Sequence, residues 1–256
     1  MDYIRVTKEN LEKEHICCAI AKEADCQVMS KKGWLRERFA EGLVFLKANA
    51  RGKCFIEYLP AENAWVPVEA EGYLYIDCFW ASGQLKGKGY AKELIEACIK
   101  DEKEQGKRGL VILSSKKKQP FLSDAQFLLH YGFEEADQCD PYFMLYCLRF
   151  DKTEKLPAFS DSVRHPKVEK DGWVLYYTDQ CPYTAKYVPL LEQVAKKAGN
   201  LLQIKHIQSR EEARKAPVPF TSFSLFYQGT FVTHEILSEK KFETIMCLKS
   251  QGEGVN

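Results

Sequence analysis

The stretch Tyr73–Ile99, YLYIDCFWASGQLKGKGYAKELIEACI, leaves the chain few ways to fold. Its first part, Tyr73–Trp80, is aromatic and aliphatic around a single charge, Asp77, and predicts a buried-type strand. Gln84-Leu85-Lys86-Gly87-Lys88-Gly89 follows as a glycine-bearing turn. Ala91, Leu94, Ile95 and Cys98 then recur at i, i+3, i+4 and i+7, one face of an amphipathic helix. A strand feeding a helix through glycines gathers free backbone N–H groups at one point. The helix dipole adds partial positive charge there, and Lys86 and Lys88 add two full charges. Such a point suits a phosphate or pyrophosphate.

The neighbouring periodicities extend this unit into an α+β layout. Leu110–Leu113 is a short apolar strand after the helix, which predicts a parallel βαβ step. Upstream, Tyr3–Val6 reads as a strand and Leu11–Ala24 as a helix. A second helix, Lys31–Glu41, is capped by Ser30 and stopped by Gly42. Leu43–Ala48 and Lys53–Leu59 flank the hairpin signal Asn49-Ala50-Arg51-Gly52, and Glu57 lies inside the second of these strands. Downstream, Lys116-Lys117-Lys118 belongs to a polar loop. Phe121–His130 reads as a helix ended by Tyr131-Gly132-Phe133, and Phe143–Phe150 as a strand. Asp151–Gly172 loses periodicity and reads as a linker lying across the first unit. A second α/β pattern follows: strands Trp173–Tyr177, Leu202–Ile207, Phe223–Tyr227 and Phe231–Glu235, with helices after Cys181, at Glu211–Lys215 and at Glu239–Leu248. The expected organisation is therefore a domain over 1–150, a linker over 151–172 and a smaller domain over 173–256.

Composition narrows the class of function. The chain has 256 residues, 45% hydrophobic and 29% charged, as a packed globular protein does. A formal net charge of +1 gives no support to nucleic acid or an anionic membrane as the main partner. No apolar run approaches the roughly 18 residues of a membrane helix. The N-terminus lacks the layout of a signal peptide. Ten cysteines, none in a C-x-x-C pair and without a His cluster, read as reduced thiols in a cytoplasmic protein, with no metal expected.

Gln84–Gly89 matches Q/R-x-x-G-x-G/A. With that loop, the order of elements and the Phe127…Tyr131-Gly132-Phe133 ending, the first 150 residues resemble an N-acetyltransferase of the GNAT superfamily. The resemblance implies a mixed sheet flanked by helices and acetyl-CoA as co-substrate. It implies that Gln84, Leu85, Lys86, Gly87, Lys88, Gly89, Tyr90 and Ala91 cradle the pyrophosphate. The backbone of Phe79, Trp80 and Ala81 would pair with the pantetheine arm where the strand splays from its neighbour. Acetyl transfer needs a neutral amine, hence a base, and sometimes a proton for the leaving thiolate. Glu57 and Asp77 are the candidate bases, since a carboxylate inside an apolar strand costs free energy unless partnered or functional. Many members of the superfamily carry a tyrosine where this chain has Leu128, so the usual acid is absent. Tyr131 and Tyr142 lie nearby; Tyr131 is the catalytic candidate and Tyr142 is expected to pack. The Trp34–Phe39 helix is where acceptor contacts are expected.

In the second half, Cys181-Pro182-Tyr183-Thr184 at a helix start, with prolines ahead of a hairpin, resembles the thioredoxin-like fold. The motif is glutaredoxin's Cys-Pro-Tyr-Cys with Thr184 in place of the second cysteine. A thiol at a helix N-terminus is expected to have a lowered pKa. The resemblance implies a cis-proline facing it, Pro219 first and Pro217 second. Cys181 would then be open to a mixed disulfide. Together the halves resemble YoaP-like acetyltransferases. The sequence predicts transfer of acetyl to a small-molecule or peptide amine in a ternary complex. Two alternatives stand beside it: a thiol-dependent redox or sensing protein using Cys181, and a non-catalytic acyl-CoA-binding protein. Neither the acceptor nor the oligomeric state is encoded in a motif.

Overall fold

The computed structural model describes residues 1–19 and 22–251. The first half contains strands β1 (Tyr3–Val6), β2 (Val44–Ala48), β3 (Cys54–Pro60), β4 (Val68–Glu69), β5 (Tyr73–Ala81), β6 (Gly109–Ser115), β7 (Ser123–Asp124), β8 (Glu134–Cys139) and β9 (Phe143–Arg149). Its helices are α1 (Cys26–Arg38), α2 (Tyr90–Glu104) and α3 (Ala125–His130). The large sheet runs β1-β2-β3-β5-β6-β9-β8, with β7 on β6. Every pairing is antiparallel except β5 with β6 and β6 with β7, so α2 makes the expected parallel crossover.

Both faces of this sheet are covered, which is why its strands read as apolar runs instead of alternations. Leu74, Ile76, Leu110 and Ile112 pack with Leu94, Ile95 and Cys98 of α2. Tyr73, Tyr75, Val111 and Leu113 pack on the other side, with Trp34 and Leu35 of α1 and with Val174, Ile207, Val218 and Phe226 of the second half. The linker returns to the first half: β10 (Ala158–Phe159) pairs with β4, and a short helix α4 (Asp161–Arg164) follows.

The second half holds β11 (Trp173–Tyr177), β12 (Leu202–His206), β13 (Phe223–Tyr227) and β14 (Thr230–Thr233), with α5 (Pro182–Lys197), α6 (Arg210–Arg214) and α7 (Glu239–Ser250). Its sheet order is β12-β11-β13-β14; β11 and β12 are parallel and the rest antiparallel. Leu191, Ala195 and Phe242 of the helices close its core over Leu175 and Leu225.

Several expected elements need correction. Leu11–Ala24 forms turns, not a helix, with Ile20 and Ala21 outside the described residues. Its buried residues Leu11, Ile16 and Cys17 do not fall at helical spacing. Helix α1 begins at Cys26, ahead of the expected Ser30 cap, because Asp25 accepts a hydrogen bond from Gln27 N at 2.9 Å. Phe121 has φ of 62°, which keeps it out of a helix; α3 starts only after Asp124, its cap. Strand β8, EEADQC, was not expected, because a polar edge strand carries no apolar period. The end of the expected second domain, 252–256, lies outside the described residues.

Candidate active site

Gly87 and Gly89 hold φ of 77° and 85°, and a side chain built on either would meet nothing within 4 Å. Backbone handedness, not crowding, therefore selects glycine there. Gly89 is the N-cap of α2 and no side chain caps the helix. Its first-turn N–H groups are left free for an anion. Leu85 turns inward beneath Gly52, while Gln84, Lys86 and Lys88 point outward as exposed side chains.

The strand before the loop is unusual in two ways. It pairs with β6 only from Tyr73 to Ile76. Beyond that point β5 remains on β3 while β6 continues to Ser115 along β9, so the two parallel strands splay. The second feature is a register shift at Glu57/Tyr58, where Glu57 faces Cys78 and Tyr58 faces Ile76. Asp77 is the extra residue of this β-bulge. The bulge changes the phase of the strand: Ile76 and Phe79 face the α2 core, whereas Tyr75 and Cys78 face the α1 side.

A cavity of about 360 Å³ lies on that side. The first half lines it with Cys18, Lys31, Lys53, Phe55, Glu57, Asp77, Cys78, Trp80, Pro120 and Phe121. The second half contributes Gln180, Cys181, Pro182, Tyr183, Phe220 and Ser222. A smaller void of about 40 Å³ sits in the splay, and Asp77, Cys78, Trp80, Phe121, Gln180, Phe220 and Ser222 line both spaces.

The two candidate bases have different surroundings. Glu57 is fully buried; Lys31 Nζ donates to Oε2 at 2.6 Å and Trp34 Nε1 to Oε1 at 3.2 Å. Burial pulls the Lys31 ammonium down, but the Glu57 carboxylate outweighs it and holds the pKa up, at about 12. Lys31 also donates to Gln180 O at 2.7 Å, tying the Cys181 segment to the sheet. Asp77 has no such partner. Its Oδ2 is shut off from solvent and accepts no hydrogen bond. Burial, and then the Glu57 charge, raise its carboxyl well above the ordinary range. Gln180 Nε2 donates to the Asp77 carbonyl at 3.2 Å, and Ser222 Oγ fixes that amide by donating to Gln180 Oε1 at 2.8 Å.

Other expected site residues fall differently. Trp80 lines the cavity, but Trp34 packs edge-on to Trp65 beneath Arg38 and stays out of it. Of α1, Lys31 lines the cavity. Tyr131 lies at the end of α3 against Phe127 and His130, outside the cavity lining. Tyr142 packs as expected, with its hydroxyl 2.7 Å from His234 Nδ1. Cys181 does sit at the N-cap of α5, yet burial overrides the helix end and pushes its thiol up to about 11. Pro219 lines the splay in a trans peptide; the cis bond of the described residues is Asp140–Pro141. Neither Pro219 nor Pro217 is the expected cis-proline. All ten cysteines are free thiols, and Cys26 and Cys247 are exposed. Among the described residues no cluster of metal-ligating side chains is present, and no helix is long and apolar enough to cross a membrane.

Sequence reasoning missed Lys31 and Gln180. Lys31 carried a usable signal: it lies on the apolar face Val28–Leu35 of α1, where a cation needs a buried anion such as Glu57. Gln180 carried none.

A sequence-family profile described as YoaP-like matches residues 202–244. The chain is 44% identical over 247 residues to the uncharacterized N-acetyltransferase YoaP of Bacillus subtilis (strain 168), covering 96% of this chain and 98% of that one. Among solved structures, a GNAT family acetyltransferase from Brucella melitensis in complex with acetyl-CoA is 16% identical. It covers 62% of this chain and 92% of its own, with a TM-score of 0.39. A GNAT family acetyltransferase from Staphylococcus aureus Mu50, also 16% identical, covers 59% and 99% with a TM-score of 0.41.

Proposed function

The chain belongs to the family of the N-acetyltransferase YoaP, and from that premise we propose that it is an enzyme of GNAT type that transfers acetyl from acetyl-CoA to an amine held in the cavity between its two halves. The observation that carries this is the bulged, splayed strand β5, which ends in the glycine loop at one side and opens into the cavity at the other. The residues fit an acyl-CoA: free N–H groups at Gly87–Ala91 beside two lysines suit the pyrophosphate, and the unpaired edge at Phe79–Ala81 suits the pantetheine amides. When bound, acetyl-CoA supplies an acetyl thioester.

The chain's own residues supply position and proton control. Asp77 is the base in this reading. It lines both the splay and the cavity, and its burial raises its affinity for a proton. In its ionised form Asp77 takes one proton from an ammonium in the cavity, leaving the neutral amine that attack requires, and releases that proton to solvent after transfer. Glu57 is held by Lys31 and Trp34, so it serves to keep the Lys31 charge in place beside the site. Tyr131 has no role here, and the leaving sulfur takes its proton from the attacking nitrogen through solvent. Gln180, anchored by Ser222, holds the bulge at the mouth of the splay.

We read residues 1–150 as the acetyl-CoA domain, 151–172 as the linker and 173–256 as a thioredoxin-like unit, supported by the order β12-β11-β13-β14 and the Cys-Pro start of α5. A thiol near 11 and a trans Pro219 favour a wall of the acceptor site over a redox centre. Replacing Gly87 or Gly89 with valine tests the loop: each forces a β-branched side chain to positive φ. Calorimetry should show CoA affinity falling at least about tenfold. Unchanged binding would remove the pyrophosphate assignment.

A further inference from the structure

Resting on the acetyl-transfer reading, we infer that the acceptor is a small monoamine with an aromatic or otherwise apolar body, bound with its single ammonium at Asp77. The cavity contains one carboxyl group without a partner. Asp77 Oδ2 is closed from solvent and accepts no hydrogen bond, whereas both oxygens of Glu57 are taken by Lys31 and Trp34. A buried polar atom left unpaired calls for a missing partner, and an ammonium beside this carboxyl supplies one.

The rest of the lining limits what that ammonium is attached to. Lys31 already neutralises Glu57, and Lys53 stands at the rim, its Nζ 2.6 Å from the Tyr183 hydroxyl. A second positive charge on the ligand would therefore meet two lysines and no free carboxylate, which disfavours polyamines and other polycations. Phe55, Trp80, Phe121, Tyr183 and Phe220 present ring surface from several sides. Phe121 and Tyr183 meet edge-to-face across the junction of the halves, with centroids 6.5 Å apart. At about 360 Å³ the space lies at the small end of ligand pockets, of order 300–1,000 Å³. Tyr183 and Phe220 come from the second half, so that half recognises the body of the acceptor while the sheet handles its amine.

The test uses the full chain saturated with CoA and two probes, 2-phenylethylamine and spermidine, titrated by calorimetry. A parallel titration of CoA alone tests the underlying reading. The expected result is saturable 2-phenylethylamine binding at least about tenfold tighter than spermidine. Tyr183→Ala should weaken the monoamine about fivefold or more with CoA affinity unchanged, and Phe220→Ala should weaken the monoamine to a similar extent. Acetyl turnover should show the same preference in KM. Spermidine binding equal to or tighter than the monoamine, or ring variants that leave monoamine affinity untouched, overturns the acceptor assignment while CoA still binds. Loss of CoA binding in the wild-type chain instead overturns acetyl transfer itself. Circular dichroism of the variants separates misfolding from loss of the ring contact, and conservative Phe220→Leu should retain part of the affinity.

Discussion

Replacing Lys31 with methionine removes the cation that Glu57 was buried against. The carboxylate is fully buried and keeps only the Trp34 indole, and the Gln180 carbonyl loses its donor. Breaking one side of a buried ion pair costs about 3–5 kcal/mol, mostly because the remaining charge has neither water nor a counterion. For a chain of this length that corresponds to roughly 6–20 °C in Tm. Glu57→Gln should cost a similar amount from the other side. The double variant should recover most of the loss, because a glutamine still accepts from Trp34 and no charge remains buried. Lys31 titrates higher in the folded chain, at about 12, than in the unfolded one. Its contribution is thus fully present below its unfolded value and is lost only as pH rises through about 12. Urea denaturation of the four proteins of the cycle measures this. Single-variant costs below about 1 kcal/mol, or a double variant equal to the sum of the singles, would refute the argument.

Asp77→Asn should cut kcat at least about 100-fold with CoA affinity unchanged. It should also be more stable than the wild type at pH 8 by a margin that shrinks towards pH 4. The native carboxyl keeps its proton to higher pH than the unfolded chain, so wild-type stability falls as pH rises above the unfolded value. A margin independent of pH counts against the buried carboxyl. Alkylation of Cys181 by iodoacetamide, followed by peptide mapping, should track a thiolate with a midpoint near 11. A midpoint below about 8 would restore the redox reading. His234 donates from Nε2 to Pro120 O at 2.7 Å and accepts at Nδ1 from the Tyr142 hydroxyl, and burial lowers its pKa to about 4. The unfolded chain therefore binds this proton first as pH falls. Stability should drop by roughly 3 kcal/mol between about pH 6.5 and pH 4, a loss that His234→Gln abolishes.

The first hairpin of the large sheet and the parallel crossover through Tyr73–Ile99 were legible because both faces of the strands are buried and the helix has a clear apolar stripe. Tyr73, Trp173 and Phe223 begin strands where the aromatic runs begin. Edge strand β8 was not legible, since solvent on one side erases the pattern. Nor was the start of α1, where the capping aspartate lies before an apolar face interrupted by lysines. In the site, the loop and the two strand carboxylates could be read locally. Which carboxylate is partnered could not, because Lys31 reaches Glu57 from 26 residues away and also donates to the Gln180 carbonyl 149 residues on, interactions that no local window spans. The Cys181 pKa failed for a related reason. A helix start is a local feature, but the burial that outweighs it comes from a cavity wall built by the other half.

The core beneath that wall is continuous: Val174, Ile207, Val218 and Phe226 of the second half share one cluster with Trp34, Phe55 and Tyr75 of the first. A chain cut near Gly172 would therefore present the bare side of the large sheet to water and associate through it. In such a chain Lys31 would lose its bond to Gln180, and the cavity would lose the wall that Gln180–Tyr183, Phe220 and Ser222 supply. Gene fusion, truncation or exchange of the second half would in this way alter the cavity wall and solubility together, while leaving the glycine loop at Gly87–Gly89 untouched.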